Sequence, residues 1–313
     1  MQNPKQTKLK RFAVLALLPV LILAGCTAAP DASFLHLVGS GAQLNTSPVV
    51  TSSATCPAGE QLLGGGYTAL VSPGDMVSVT EDYPNPSSAN TWTVTAATGT
   101  QVSGSLLAVA YCFTTPNVQL GVLPVSQNTT SSPISVLQAT ATGLASCPAG
   151  SVLTGGGFRV QGLPQGDVNH NSYITAEGPA PSGASQPSGW QTTLVYPVST
   201  ALTAKVFALC ARNYLAPGTT VNQTFTQLNT LKGTVACAPN AFTSGGGYSL
   251  TQSPEGLPPP YTVYSSFSDT ESALNFTPSA RFNAYQAIGW RSDLTFHFGW
   301  KLTMSANCIP FPR

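Results

Sequence analysis

The sequence contains very few charged residues. Asp, Glu, Lys and Arg make up 7% of the 313 residues, whereas about a quarter is usual for a globular protein. Four of the 12 basic residues lie within the first 11 positions, which leaves 8 basic residues against 11 acidic ones in the remainder. This remainder offers no basic surface to nucleic acid, so no nucleic-acid partner is expected. Hydrophobic residues make up 42% of the chain, which is sufficient for a packed core and argues against disorder.

The sequence also lacks the common motifs of catalysis and of cofactor or metal binding. Its three histidines, His36, His170 and His297, lie at non-equivalent places, and there is no G-x-S-x-G nucleophile elbow. Its cysteines include no C-x-x-C pair of the kind that binds zinc. We therefore expect no cofactor, no metal site and no enzymatic activity.

The N-terminal segment is predicted to be a targeting signal. A basic stretch ending at Arg11 precedes an apolar run, Phe12 to Ala24, which is shorter than the roughly 20 residues that a transmembrane helix needs. The run ends in Leu23-Ala24-Gly25-Cys26, which resembles the lipobox of bacterial lipoprotein signal peptides. This resemblance implies that residues 1–25 are a signal peptide and that Cys26 is diacylated. Residues 26–33 would then tether the mature chain to a bacterial membrane, outside the cytoplasm.

Three copies of one sequence unit follow the signal. CPAGEQLLGGGY begins at Cys56, CPAGSVLTGGGF at Cys147, and the more divergent CAPNAFTSGGGY at Cys237. Each copy continues with a tryptophan and a second cysteine: Trp92 and Cys112, Trp190 and Cys210, Trp290 and Cys308. Six cysteines allow 15 pairings, and an extracytoplasmic location permits disulfides. The repeat favours one disulfide within each copy, namely Cys56–Cys112, Cys147–Cys210 and Cys237–Cys308.

Alternating apolar and polar residues predict β-strands along nearly the whole chain. In LTMSANC, which ends at Cys308, every second residue is apolar or cysteine. No window has a sustained helical period, and 26 prolines and 29 glycines interrupt the chain. We predict an all-β protein of three homologous antiparallel modules, at residues 34–116, 117–215 and 216–313. Two architectures fit: tandem β-sandwich-like units, or three sheets around a pseudo-threefold axis, as in a β-prism.

The glycine triplets are predicted to be structural. A phosphate-binding loop needs a helix N-terminus behind the glycines and a nearby lysine. In the first copy, an aromatic residue and further strand follow Gly64, Gly65 and Gly66 instead. Glycines within a strand mark a bulge, a tight bend or the close approach of another backbone. We expect the preceding segment, Cys56 to Gly59, to form a turn that the third copy has lost.

Several carboxylates occupy similar places in the three copies. Glu81 and Asp82 precede a proline in the first copy and Glu177 does so in the second, while Asp269 and Glu271 lie in the corresponding region of the third. Each is expected to follow the same strand of its module, on a separate rim of the molecule. Glycoside hydrolysis needs two carboxylates in one cleft. An extracellular hydrolase acting on polysaccharide or peptidoglycan is therefore the alternative function and not the favoured one.

The third copy has the longest interval between its first cysteine and its tryptophan, 53 residues against 36 and 43. The additional segment contains Phe276, Arg281, Phe282 and Tyr285, which belong to residue types enriched at recognition surfaces. Long loops on a rigid scaffold often carry function, so these four are candidate ligand-binding residues. The alternative is that the segment packs over an exposed sheet edge.

The CPxG turn, the GGG-aromatic strand, the tryptophan strand and the closing cysteine together resemble a loosely defined group of secreted bacterial proteins. The resemblance covers nearly all of residues 34–313 and is strongest in the first two copies. It implies a repeated β architecture outside the cytoplasm, and it carries no information about activity. We expect a lipid-anchored cell-surface or envelope protein with a non-catalytic binding, adhesion or structural role. Its ligand would be a glycan or a surface protein.

Overall fold

The computed structural model of the chain describes sixteen segments. They are residues 35–71, 77–88, 90–98, 102–114, 123–133, 138–162, 173–180, 187–197, 202–212, 218–225, 230–238, 240–252, 262–269, 281–282, 289–295 and 300–310.

These segments consist almost entirely of β-strands, with one short 3-10 helix at Leu44–Thr46 and no α-helix. The prediction of an all-β protein is therefore confirmed. The strands are β1 Leu35–Gln43, β2 Val49–Thr55, β3 Gln61–Val71, β4 Val77–Pro84, β5 Thr91–Thr98, β6 Gly104–Phe113, β7 Leu123–Asn128, β8 Thr130–Pro133, β9 Gln138–Ser146, β10 Ser151–Gln161, β11 Tyr173–Ala180, β12 Gly189–Pro197, β13 Thr203–Arg212, β14 Thr219–Phe225, β15 Thr230–Ala236, β16 Ala241–Gln252, β17 Thr262–Asp269, β18 Arg281–Phe282, β19 Gly289–Thr295 and β20 Trp300–Pro310.

The strands form three antiparallel sheets, and every sheet contains strands of two sequence modules. Sheet A has the order β15-β19-β17-β3-β6-β1-β18, sheet B the order β2-β5-β4-β10-β13-β7, and sheet C the order β14-β20-β16-β11-β12-β9-β8. The first module thus contributes to sheets A and B, the second to B and C, and the third to C and A. This sharing excludes a row of separate units. It agrees with three sheets around a pseudo-threefold axis, although no module supplies a whole sheet.

The first glycine of each triplet lies where the three copies meet. A β-bulge precedes each of these glycines, as the register shifts of β3, β10 and β16 show. A Cβ placed on any of them would meet the backbone of another copy: Ser244 O at 2.3 Å from Gly64, Leu63 O at 2.8 Å from Gly155, and Thr154 O at 3.1 Å from Gly245. Only a residue without a side chain permits this approach. The prediction of a bulge and close backbone contact is therefore confirmed.

The second and third glycines make room for other parts of the module junctions. A Cβ on Gly65 would lie 2.1 Å from the ring of Trp92, and one on Gly156 would lie 2.3 Å from the ring of Trp190. The backbone of the neighbouring module lies directly against the third glycine: a Cβ on Gly157 would lie 1.8 Å from the carbonyl oxygen of Asp82. Each position of the triplet thus excludes a side chain for its own reason.

The three predicted disulfides are present: Cys56–Cys112, Cys147–Cys210 and Cys237–Cys308. A turn follows the first cysteine of every copy, with backbone hydrogen bonds from Glu60 N to Pro57 O, from Ser151 N to Pro148 O and from Ala241 N to Ala238 O. The expectation that the third copy has lost this turn was wrong, because its hydrogen bond persists although the CPAG sequence does not. The three turns precede β3, β10 and β16, so they lie together at one end of the molecule, which we name the turn end.

Apolar side chains fill the turn end and the interior between the sheets. One cluster at the turn end brings together residues of all three modules: Leu35, Leu63, Phe113, Ala211, Phe242 and Ile309. Deeper in the molecule, Trp92 and Trp190 are almost completely buried. Burying a large apolar side chain contributes about 1.5–3 kcal/mol. The modules therefore share their core as well as their sheets.

Candidate functional site

Two modules join within each sheet through a short pairing of two strands. The pairs are β4 with β10 in sheet B, β11 with β16 in sheet C, and β17 with β3 in sheet A, and each is formed by two residue pairs. We call these junctions seam B, seam C and seam A. Because the three seams have the same register, equivalent positions can be compared directly between them.

Seam B is filled by large and charged side chains. Arg159 Nε contacts Glu81 Oε1 at 2.6 Å, and Thr95 Oγ1 donates a hydrogen bond to Glu81 Oε2 at 2.6 Å. The Arg159 guanidinium lies 5.7 Å from the centre of the Tyr83 ring, and that ring lies 5.0 Å from the ring of Phe207. These side chains bond and pack against one another, so seam B has few polar groups left for a ligand.

The electrostatics of seam B follow from burial. Burial raises the pKa of Tyr83, and the Glu81 carboxylate raises it further, while the Arg159 guanidinium lowers it. Below Tyr83, on the inner face of β4, Trp92 Nε1 donates a hydrogen bond to Asp82 Oδ1 at 2.5 Å. Burial raises the pKa of Asp82 to about 8. Seam B therefore contains an ion pair on its outer face and, inside, a carboxyl group whose pKa is raised by burial.

The outer face of seam C has small side chains at the equivalent positions. Register places Ala176 where seam B has Glu81, and Ser249 where it has Arg159. Pairing with the adjoining strands likewise places Gly178 at the position of Tyr83 and Ser305 at that of Phe207. The missing volume leaves an open depression.

This depression, which we call the groove, has an empty volume of about 430 Å³ when the open solvent at its mouth is included. Apolar atoms form the larger part of its exposed surface, and the hydroxyl and amide groups of its polar side chains contribute to the remainder. Its residues are Ala176, Glu177, Gly178, Pro179, Gln191, Asn222, Tyr248, Ser249, Thr303 and Ser305. Glu177 is the one ionisable carboxylate among them and is buried, with 4% of its surface exposed. The side chains that face solvent in the groove are therefore uncharged.

The shape of the groove depends on two glycines. Gly178 has φ +152°, a backbone conformation that favours glycine, and a Cβ there would lie 3.0 Å from Ser305 Oγ. Gly247 is crossed by the backbone of the second module, since a Cβ on it would lie 1.9 Å from the carbonyl oxygen of Glu177. Ser305 Oγ in turn donates a hydrogen bond to Gly247 O at 3.4 Å. The floor of the groove is thus backbone, with hydroxyl groups at its sides.

The predicted carboxylates lie on three different sheets. Glu81 and Asp82 are within β4 of sheet B, Glu177 is within β11 of sheet C, and Asp269 is the last residue of β17 in sheet A. The expectation that they follow a strand was therefore wrong for Glu81, Asp82 and Glu177. The expectation that they do not converge on one cleft agrees with this placement. Glu271 lies outside the described residues.

The candidate residues of the third-module insert are only partly described. The main chains of Arg281 and Phe282 form β18, which pairs with Val38 and Leu37 at the edge of sheet A. This pairing corresponds to the alternative in which the segment covers a sheet edge. Phe276, Tyr285 and the predicted lipidation site Cys26 lie outside the described residues. A ligand-binding role for the four insert residues stays a prediction.

The described segments were also compared with what a metal site and a membrane-spanning helix require. These segments contain no group of three or more His, Cys, Asp or Glu side chains that could hold a metal ion. They also contain no helix with the length and apolar character needed to cross a membrane.

Comparison with protein families and with curated proteins gave no match. No protein-family model matches the chain, and a search of curated proteins found no significant similarity. The resemblance to the loosely defined secreted group accordingly stays a prediction from the motifs.

Sequence reasoning did not identify the groove. A signal was nevertheless present in the repeats, because the residue after the GGG-aromatic motif is Arg159 in the second copy and Ser249 in the third. This difference indicates a groove only when the strand that pairs with Arg159 or Ser249 is known to belong to another module. The strand order supplies that information.

Proposed function

We propose that this chain is a lipid-anchored cell-surface or envelope protein that binds an uncharged, polyhydroxylated ligand, such as a neutral saccharide, in the groove of seam C. Its role is binding without catalysis. The observation that carries the proposal is the contrast between two equivalent seams. Seam B is closed by an ion pair and two aromatic rings, whereas seam C is open and presents hydroxyl and amide groups.

The chemistry of the groove matches that of a neutral sugar. Gln191 and Asn222 each offer an amide donor and an acceptor, and the hydroxyl groups of Ser249 and Thr303 can do both. A saccharide hydroxyl likewise donates and accepts, so it can pair with any of these groups. The described lining residues carry no exposed charge, so they favour neither an anionic nor a cationic ligand. The open shape suits a few residues of a longer chain better than an enclosed small molecule.

The position of the carboxylates supports binding over hydrolysis. Glycosidases use two carboxylates about 5–9.5 Å apart, and Glu177 is the single carboxylate among the groove residues. Glu81 belongs to another sheet and is engaged by Arg159. A hydrolase at the groove would lack its second carboxylate within the described segments.

A direct test is titration of the mature chain, with Cys26→Ser for solubility, against neutral oligosaccharides on a glycan array and by calorimetry. Ser249→Arg introduces the residue that seam B has at this position, and Asn222→Trp fills the groove from an exposed site. Ser53→Trp, on the outer face of sheet B, is the matched control. We expect both groove variants to lose binding at least about tenfold, equivalent to about 1.4 kcal/mol, and the control to retain it.

The same titration separates the groove from the insert. Deletion of residues 270–288 leaves β17 and β19 intact while it removes the four predicted recognition residues. Binding that survives this deletion and is lost in Ser249→Arg supports the groove. Binding that is lost on deletion and survives in both groove variants would reject the groove as the site.

A further inference from the structure

The N-terminus of the described chain lies at the turn end. β1 begins at Leu35, which pairs with Phe113 at the end of β6. The Leu35 side chain packs in the apolar cluster that also contains Phe242 and Ile309. The described chain therefore begins at the end that bears the three turns.

The tether that precedes β1 is short relative to the molecule. Eight residues separate Cys26 from Leu35, and a chain of this length spans roughly 28 Å at most. β20 has 11 residues, and a strand of that length extends about 36 Å. A lipid at Cys26 thus holds the turn end closer to the bilayer than the opposite end.

We infer that the turn end faces the membrane surface and that the outer faces of the sheets stand roughly perpendicular to it. This inference rests on the lipid anchor of the proposed function and does not depend on the groove. The groove lies part-way along sheet C, since Ser305 is the sixth residue of the 11 in β20. It therefore opens sideways, where a polymer lying parallel to the membrane can reach it.

The surface of the turn end is compatible with a lipid surface. The exposed turn residues are small or uncharged, among them Ala58, Ala149 and Asn240, and the exposed Arg212 adds a positive charge at this end. Glu60, which follows the first turn, is buried, with 6% of its surface exposed. Anionic lipid headgroups attract basic residues and repel exposed carboxylates. The three turns therefore present no exposed carboxylate to the membrane, while the acidic Asp269 at the end of β17 lies at the same end of the molecule.

The insert of the third module is attached at the same end. It leaves β17 at Asp269 and returns at Gly289, and these two residues pair with each other. Gly289 also pairs with Ala236, the residue before the disulfide-bonded Cys237. The pairing of β18 with the first half of β1 also lies toward this end. The two residues that flank the insert, Asp269 and Gly289, therefore lie on the membrane side.

The test is fluorescence quenching in vesicles of phosphatidylethanolamine and phosphatidylglycerol that carry a nitroxide on the headgroup. A single fluorophore is attached to the acylated mature chain at Ala58→Cys, Ala149→Cys or Leu70→Cys. Leu70 is 52% exposed and lies near the opposite end, where it pairs with Ser105. We expect quenching at the two turn positions to exceed that at Leu70 by roughly threefold or more, because a strand length separates them.

Equal or stronger quenching at Leu70 overturns the inference, as does the absence of quenching at all three positions in vesicle-bound protein. Circular dichroism and non-reducing mass spectrometry establish that each variant has the native fold and disulfides. Mass spectrometry also reports acylation at Cys26, and an unmodified cysteine contradicts the proposed anchor. A second set of chains, in which a His tag on nickel-chelating lipid replaces the acyl chains at position 26, measures orientation independently of that outcome.

Discussion

The indole nitrogen of Trp92 donates a hydrogen bond of 2.5 Å to Oδ1 of Asp82, and both side chains are buried. Burial raises the pKa of Asp82 from its usual 3.8 to about 8, and the hydrogen bond from Trp92 opposes part of this change. The backbone of Asp82 pairs with Phe158 of the second module. A carboxyl group that is mostly protonated at neutral pH therefore lies at a junction between modules.

This carboxyl group predicts a stability that decreases as pH rises. Between pH 4 and pH 8 the folded chain retains the Asp82 proton and the unfolded chain has lost it, so the folded state binds more protons. Asp82 then lowers the free energy of unfolding by up to about 1.4 kcal/mol per pH unit. Its contribution becomes constant above about pH 8. Denaturant unfolding at several pH values measures the slope.

Asp82→Asn is the matched variant, because an amide is neutral at every pH and its oxygen can accept the Trp92 hydrogen bond. We expect this variant to lose most of the decrease between pH 4 and pH 8 and to be more stable than the wild type at pH 8. An unchanged slope in Asp82→Asn would contradict the assignment of this pH dependence to Asp82.

The glycine triplets predict that two Gly→Ala substitutions in the first copy reduce the free energy of unfolding by different amounts. In Gly65→Ala the new Cβ would lie 2.1 Å from the buried Trp92 ring, so the ring must shift, at a cost of about 3 kcal/mol. Gly59→Ala, in the turn, has no atom within 4 Å of the new Cβ and strains only the backbone at φ +86°, at about 1–2 kcal/mol. Denaturant unfolding gives both values.

Near-ultraviolet circular dichroism adds a readout specific to the tryptophan environment. It should change in Gly65→Ala and stay as in the wild type in Gly59→Ala. Equal stability loss with unchanged tryptophan signals in both variants would show that the triplet does not hold the ring in place.

The repeats predicted the local structure well because each local feature depends on residues within a single copy. The alternation of residues in LTMSANC predicts β20, and the spacing of Cys56 and Cys112 within the repeat predicts their disulfide. The bulge before Gly64 could also be predicted, since glycines inside a strand commonly mark a bulge or a close backbone approach.

The sharing of sheets could not be predicted in this way. Pairing between Asp82 and Phe158 joins residues 76 positions apart in different modules. Nothing in the sequence around either residue indicates which strand it pairs with. The groove depends on the same pairing, because Ser249 becomes part of a polar depression only through its place beside Ala176. Non-local register therefore determines the candidate site, and the repeat pattern alone does not contain it.

The ion pair of seam B predicts a small energetic effect. The Arg159 side chain is 47% exposed and that of Glu81 17%, so solvent screens much of their attraction, and exposed pairs contribute about 0.2–1 kcal/mol. A double-mutant cycle of Arg159→Ser and Glu81→Gln should give a coupling energy in this range that decreases at high salt. A coupling energy several times larger would mean that seam B depends on this pair for its assembly.

The groove predicts that Gly178 cannot be replaced without loss of both stability and binding. Its φ of +152° favours glycine, and the Cβ of Gly178→Ala would lie 3.0 Å from Ser305 Oγ, on the side where a ligand is proposed to bind. Non-glycine residues in such backbone conformations cost about 1–3 kcal/mol. Ala176→Ser, at a neighbouring groove position without a positive φ, is the control and should retain wild-type stability. If Gly178→Ala is as stable as that control and binds neutral oligosaccharides as the wild type does, the backbone floor of the groove is not what the ligand contacts.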